Sequence, residues 1–430
     1  MLSILTHNAV GDGKTECTTA IQAAIDACGE AGGGTVLIPS GCFLTGPLTL
    51  REHVWLHLEP GAILRGVTDI SNWPIIPDPY AGEAHERDVY QPFIYAEDVC
   101  DIGITGSGTI DGSGQAWWPA FHDGKLKHRR PRLIAFGGCT KVTLDGFTAM
   151  NSPQWTINPV CCDNVKIHGL TVQNPPHSPN TDGINPDPCR HVHISNCHID
   201  VGDDCITIKS GTEDSLRPRE RAACENITIT NCTMVHGHGG VVCGSEMSGN
   251  VRNVTISNCV FQNTDRGIRF KSRRGRGGII ENIRVSNIIM EDVQTPLVVN
   301  LFYECGAHGA ARVLDHHAYP IDDGTPRIER LRFSHITARN AQFAAGVFHG
   351  LPEMPLRDIV LHDVDIQMNP DAGEGETAMA SSIPKMSKRA FYCRHVSGLH
   401  LQSVRVDGHE GPFVDAENCE DVHVDSLSTE

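Results

Sequence analysis

At 430 residues the chain is long enough for one large domain or for two to three smaller ones, with a sizeable buried core. A formal net charge of −17 argues against nonspecific nucleic-acid binding, and no apolar run is long enough to span a bilayer. Aromatic residues are only 6% of the chain and glycines number 43, which suits short strands and tight turns better than long helices.

The first residues, Met1 to His7, have no basic n-region and no long apolar stretch. No signal peptide is read there, so a cytoplasmic location is expected, or an extracellular one if a leader has been removed. From Thr18 to Cys28, alanines and isoleucines recur at helical spacing, with Thr18 or Thr19 as N-cap and Gly29 as stop. This short helix is expected to cap the open apolar end of a solenoid, within an N-terminal cap of about residues 1–35. Gly32-Gly33-Gly34 leads into Thr35-Val36-Leu37-Ile38, a strand, and lacks the Gly-Lys-Ser/Thr ending of a phosphate loop. Leu48-Thr49-Leu50 reads as another early strand.

A repeat then runs through most of the chain. Asn164-Val165-Lys166-Ile167, Val192 to Cys197, Ile227 to Cys232, Val254 to Cys259 and Ile283 to Ile288 each alternate apolar and polar residues, as half-buried strands do. Weaker copies begin near Val99, Val142, Leu331, Ile359, Leu399 and Val422. Strands this short bury a face only by stacking, about 4.8 Å per layer. The expectation is all-β: a single domain over residues 1–430, a parallel β-helix of about ten coils with three strands per turn. Longer interruptions near 69–98, 112–132, 303–327 and 366–395 read as loop insertions.

The 17 cysteines fit the same frame. Cys197, Cys232 and Cys259 share one repeat position with Ile288, so they read as stacked core thiols rather than disulfides. Cys161-Cys162 is adjacent, not spaced as two ligands of one metal, and neither metal nor cofactor is expected. Asn196, Asn231, Asn258 and Asn287 read as a ladder of left-handed turn residues. Trp73 and Trp117-Trp118, in two of the insertions, read as pins holding loops to the coils, in preference to sugar platforms.

Four polar clusters interrupt successive coils: Asn180-Thr181-Asp182-Gly183, Gly202-Asp203-Asp204, Gly237-His238-Gly239 and Arg269-Phe270-Lys271. Taken singly, each is an ordinary turn or a wet strand face. Together, in order and in phase with the repeat, they define a cleft. Neighbouring carboxylates do not all ionise equally, so one holds a proton while the others stay charged. That division suits a glycosidase, with one acid at the leaving oxygen and one or two carboxylates activating water. His238 can tune the acid, and Arg269 and Lys271 can hold a substrate carboxylate. Acid and base groups about 6.5–9.5 Å apart would fit inversion, whereas about 5–5.5 Å would contradict it. Arg273-Arg274-Gly275-Arg276 is either a solvated loop or the local basic patch that an acidic protein needs to receive an acidic polymer.

These four motifs, with Gly11-Asp12-Gly13, Gly34-Thr35-Val36 and Ser178-Pro179, resemble glycoside hydrolase family 28, the polygalacturonase family. The resemblance implies a right-handed parallel β-helix and inversion without a metal. It implies Asp203 as general acid, Asp182 and Asp204 as water-activating groups, and His238 as support for the acid. Arg269 and Lys271 would bind the galacturonate carboxylate, Asn180 would orient the site, and Tyr303 would contact substrate. The implied activity is hydrolysis of α-1,4-galacturonosyl bonds in pectic polygalacturonate or its oligomers, with exo attack inferred from the long loops and the absent signal peptide. A rhamnogalacturonan or other pectic-backbone hydrolase, a pectic lyase and a noncatalytic glycan-binding β-helix are the competing readings.

Overall fold

The computed structural model describes all residues except 72, 78–87, 216–217, 308–309 and 426–430, so part of the insertion expected at 69–98 lies outside the described residues. The chain divides into two compact units, one of residues 1–204 with 214–220 and one of 205–213 with 221–430.

In the first unit the expected strands stack as parallel ladders. One comprises Gly34–Ile38, Val54–Leu58, Cys100–Gly106, Thr140–Asp145, Asp163–His168 and Arg190–Ser195. Its register places Val36, Leu56, Ile104, Leu144, Ile167 and Ile194 in one column, every member 1% exposed or less. A second ladder holds Gly41–Thr45, Ala62–Gly66, Thr109–Asp111, Thr148–Met150, Thr171–Gln173 and His198–Asp200. A third holds Leu48–Thr49, Ile94–Glu97, Ile134–Gly137 and Ile157–Val160, and bridges from Ile157 to Ile184 and from Val160 to Asp187 continue it. Apolar columns of this kind satisfy the backbone and bury one face of every strand at once.

The helix spans Thr18–Glu30 and turns Ile21, Ala24, Ile25 and Cys28 into the core against the strands beginning at Gly34 and Leu48. Its start differs from the expectation. Cys17 is the N-cap, and the Thr18 hydroxyl instead accepts from Gly46 N at 2.6 Å. The chain leaves the helix through glycines of positive φ, where a Cβ on Gly33 would stand 2.5 Å from that of His53. Trp73, Trp117 and Trp118 are buried, Trp73 edge-on to Trp117 at 5.2 Å, and the Trp118 indole donates to Ser152 O, so they pin loops as expected.

In the second unit Cys224–Thr230 and Thr233–Val235 are still separate, but in the following coils the first two strand positions join into long strands: Val251–Gln262, Ile279–Glu291, Arg327–Ala341, Leu356–Met368 and Val396–Asp407. Each carries a left-handed residue at the corner between its two halves, in order Asn258, Asn287, His335, Asp363 and Ser403, with φ of 53–58°. Asn287 Nδ2 donates to Asn258 Oδ1 at 2.6 Å, the ladder bond expected of these asparagines. Seven further strands, Ile206–Ile208, Val241–Cys243, Arg266–Lys271, Thr295–Asn300, Ala344–His349, Arg389–Arg394 and Val414–Glu417, form a separate parallel sheet.

None of the 17 cysteines forms a disulfide. Cys197, Cys232 and Cys259 are buried, and each donates its S–H to the carbonyl two residues earlier, at 3.3, 3.2 and 3.2 Å. The thiol thus fills an apolar site and also satisfies a carbonyl at the asparagine corner, which Ile288 cannot do.

The Arg273-Arg274-Gly275-Arg276 run is neither a solvated loop nor an exposed basic patch. All three arginines are buried. Arg273 and Arg276 both pair with Glu213, and Arg274 pairs with Glu353 while donating to the carbonyls of Arg312 and His317. Burial of a guanidinium demands such partners, and here they come from separate loops.

Candidate active site

In the first unit the third ladder carries Asp182 into place. Ile184 bridges to Ile157, Thr156 N donates to Asp182 O at 2.8 Å, and Gly183 N donates to Asp204 O at 3.0 Å. Backbone bonds on both sides therefore hold the carboxylate-bearing turns. Gly202 is required there, since a Cβ would lie 2.5 Å from Ser178 O and 2.7 Å from Pro175 O. The result is convergence: Asp182, Asp203 and Asp204 each place one carboxylate oxygen within 4.8 Å of the others. Asp182 and Asp204 are 4% and 1% exposed, and Asp203 is half-buried.

Each acid is held differently. Asn185 Nδ2 donates to Asp182 Oδ2 at 3.1 Å, and Asn185 is itself fixed through its carbonyl by Asn158. Asp203 Oδ1 accepts from Asp204 N at 2.8 Å. The nearest oxygens of the three carboxylates thus meet at a single point, where one water or one glycosidic oxygen can touch more than one of them.

Asn180 does not hydrogen-bond to the acids. It is exposed, with φ of 54°, and its Oδ1 accepts from Arg130 Nη2 at 2.7 Å. Arg130 escaped the sequence reading. It is 4% exposed, and its pKa is lowered to about 10, by burial first and then by Arg129, while Asp182 and Asp203 pull the other way. The signal available was the dense run His128-Arg129-Arg130-Pro131-Arg132 at the end of an insertion.

In the second unit Arg269 and Lys271 occupy alternate positions of the strand Arg266–Lys271, so both emerge on one face. Phe270 points the other way into the core and stacks on Phe333 at 6.3 Å. Tyr303 joins the two cations: the Arg269 Cζ and Lys271 Nζ lie 5.5 and 5.0 Å from its ring centre. His238 is exposed on a turn held by Asp265 N on Gly237 O and Cys205 N on Gly239 O.

The insertion at 366–395 folds onto this group. Arg266 donates to the carbonyls of Thr377 and Glu376, Glu304 N donates to Met379 O, and Tyr303 Oη lies 3.7 Å from Met379 Sδ. Lys209 and Glu246, also unread from the sequence, pair at 2.8 Å. Burial alone would raise the Glu246 carboxyl, but Lys209 and Arg276 hold it well below the usual range.

Residues 28–371 match the profile of glycosyl hydrolases family 28. A probable polygalacturonase of Vitis vinifera is 35% identical over 374 residues, 85% of this chain and 74% of that protein. An endo-polygalacturonase of Pectobacterium carotovorum subsp. carotovorum is 32% identical over 305 residues, 68% of this chain and 73% of its own. Among solved structures, a hyperthermoactive exopolygalacturonase from Thermotoga maritima superposes with a TM-score of 0.79 at 28% identity, covering 95% of this chain and 91% of its own. A family 28 exopolygalacturonase of Yersinia enterocolitica shares the fold with a TM-score of 0.78 at 22% identity, over 99% and 79% of the two chains. Converging carboxylates, stacked parallel coils and these likenesses agree: the chain belongs to glycosyl hydrolases family 28, a glycosidase on a right-handed parallel β-helix.

Proposed function

We propose that the protein hydrolyses α-1,4-galacturonosyl bonds of pectic polygalacturonate and its oligomers, releasing product from a chain end. The observation that carries the reading is the meeting of Asp182, Asp203 and Asp204 within 4.8 Å, in a family 28 chain. Asp203, the least buried of the three, protonates the glycosidic oxygen as the bond to the anomeric carbon breaks. Asp182 and Asp204 take the proton of the water that attacks that carbon. Arg269 and Lys271, beside the Tyr303 ring, receive the uronate carboxylate, and His238 supports the acid.

Exo attack draws support from the loop packed on Tyr303 and Glu304 and from the Thermotoga maritima exopolygalacturonase likeness. Inversion is proposed on the family resemblance. Proton NMR of the first product decides: the β-anomer appearing first supports inversion, and the α-anomer overturns it. Asp203→Asn is expected to cost roughly 10²–10⁴ in kcat. Early products from penta- and trigalacturonate should be monogalacturonate or one short unit; a spread of internal fragments defeats the exo reading. Insensitivity to chelator and the absence of an ultraviolet-absorbing product separate hydrolysis from lyase action.

A further inference from the structure

We propose that Arg130 is a positioning residue of the active site, fixing the Asn180 amide and holding Asp182 and Asp203 toward their ionised forms. The inference rests on the reading of those aspartates as the reacting acids. Arg130 is buried against the turn that carries Asn180 and leads to Asp182. Its Nη1 donates to Pro153 O at 2.8 Å and Pro179 O at 2.7 Å, and its Nη2 donates to Asn180 Oδ1 at 2.7 Å. The Phe121 ring closes over the guanidinium at 3.7 Å.

This geometry has two consequences. A guanidinium only donates, so the amide oxygen of Asn180 must face Arg130, and Nδ2 is left as the donor presented at the surface. Among the described residues no carboxylate forms an ion pair with Arg130; its direct partners are three neutral oxygens. Its charge is therefore not cancelled at contact and acts on the acids that face it, Asp182 and Asp203, with Arg129 the like charge beside it. Asp204 stands within 4.8 Å of both acids and adds to their mutual repulsion. Alone, such a cluster would gather protons at high pH. A buried positive charge offsets that tendency and keeps a water-activating carboxylate charged in mildly acidic solution. With a pKa near 10, Arg130 stays cationic there.

The test compares pH profiles of kcat/KM on trigalacturonate for the wild type, Arg130→Gln, Arg130→Lys and Asn180→Ala. Arg130→Gln is expected to move the profile up by about one pH unit. Arg130→Lys should keep the profile in place but raise KM, because an ammonium cannot reproduce the three-way fork. Asn180→Ala should raise KM without moving the profile. Carbon-13 NMR titration of labelled aspartates, assigned with Asp→Asn variants, reads the same shift without turnover. It therefore tests Arg130 even if Asp203→Asn retains activity and the assigned catalytic roles fall. An Arg130→Gln enzyme that loses rate uniformly, with profile and carboxyl titration unmoved, overturns the proposal. If that variant does not fold, a displaced profile for Arg130→Lys overturns it equally.

Discussion

Arg274 and Glu353 form a two-point fork inside the protein, Nε to Oε1 at 2.6 Å and Nη2 to Oε2 at 2.9 Å, with side chains 0% and 4% exposed. Burial by itself would raise the Glu353 carboxyl, and Arg274 brings it below its ordinary range. Glu353→Ala would strand a buried guanidinium and should cost about 3–5 kcal/mol. The double variant Arg274→Met with Glu353→Leu should recover much of that loss. Chemical denaturation of the single and double variants at pH 7 measures both, and a single variant of wild-type stability would refute the claim.

His349 gives the stability a pH dependence of known sign. Burial, then His316, His395 and Arg394, lowers its pKa to about 3 from an ordinary 6.5. The unfolded chain therefore binds a proton near pH 6.5 that the folded chain refuses. Stability from this group is complete above pH 6.5 and falls steadily as pH drops toward 3, by roughly 5 kcal/mol in all. His349→Phe should reduce the proton uptake on unfolding at pH 5 by about one. Equal slopes of stability against pH in the two proteins would contradict it.

Lys271, with its ammonium 5.0 Å from the Tyr303 ring, is the proposed reader of substrate charge. Lys271→Met should lower kcat/KM for polygalacturonate by about 10–100-fold, in line with the 2 kcal/mol or so of a charge-assisted contact. The preference for polygalacturonate over methyl-esterified pectin should shrink in parallel. Steady-state rates on the two polymers provide the comparison, and an undiminished preference would remove Lys271 from that role.

Asn258 tests the corner of the coil. Its φ of 55° costs an ordinary L-residue about 1–2 kcal/mol, and its Oδ1 also receives Asn287. Asn258→Ala should lose stability on both counts, and Asn258→Gly only through the missing side-chain bond. Urea midpoints should rank wild type, Gly and Ala in that order.

What could be read from the chain depended on distance along it. The alternation in Val254-Thr255-Ile256 and the asparagine after it repeat locally, so strands, corners and core thiols were all legible. The carboxylates were legible because Asp182, Asp203 and Asp204 keep phase with that repeat. Their tight spacing was not, since it depends on how turns close rather than on period. The arginine run was undecided because its partners, Glu213 and Glu353, lie 60 and 79 residues from Arg273 and Arg274. Arg130 was hidden for the same reason, 50 residues from Asn180. The Thr18 cap failed because Gly46, 28 residues away, claims its hydroxyl.

Those arginines have a kinetic meaning as well. Arg273, Arg274 and Arg276 hold Glu213, Glu353 and the carbonyls of Arg312 and His317, anchoring segments from three parts of the chain before any sugar arrives. Loops already tied down have little ordering entropy left to lose on binding. Selection for substrate then falls on the shape and charge of a preorganised surface. Turnover, by the same reasoning, does not wait on these segments becoming ordered.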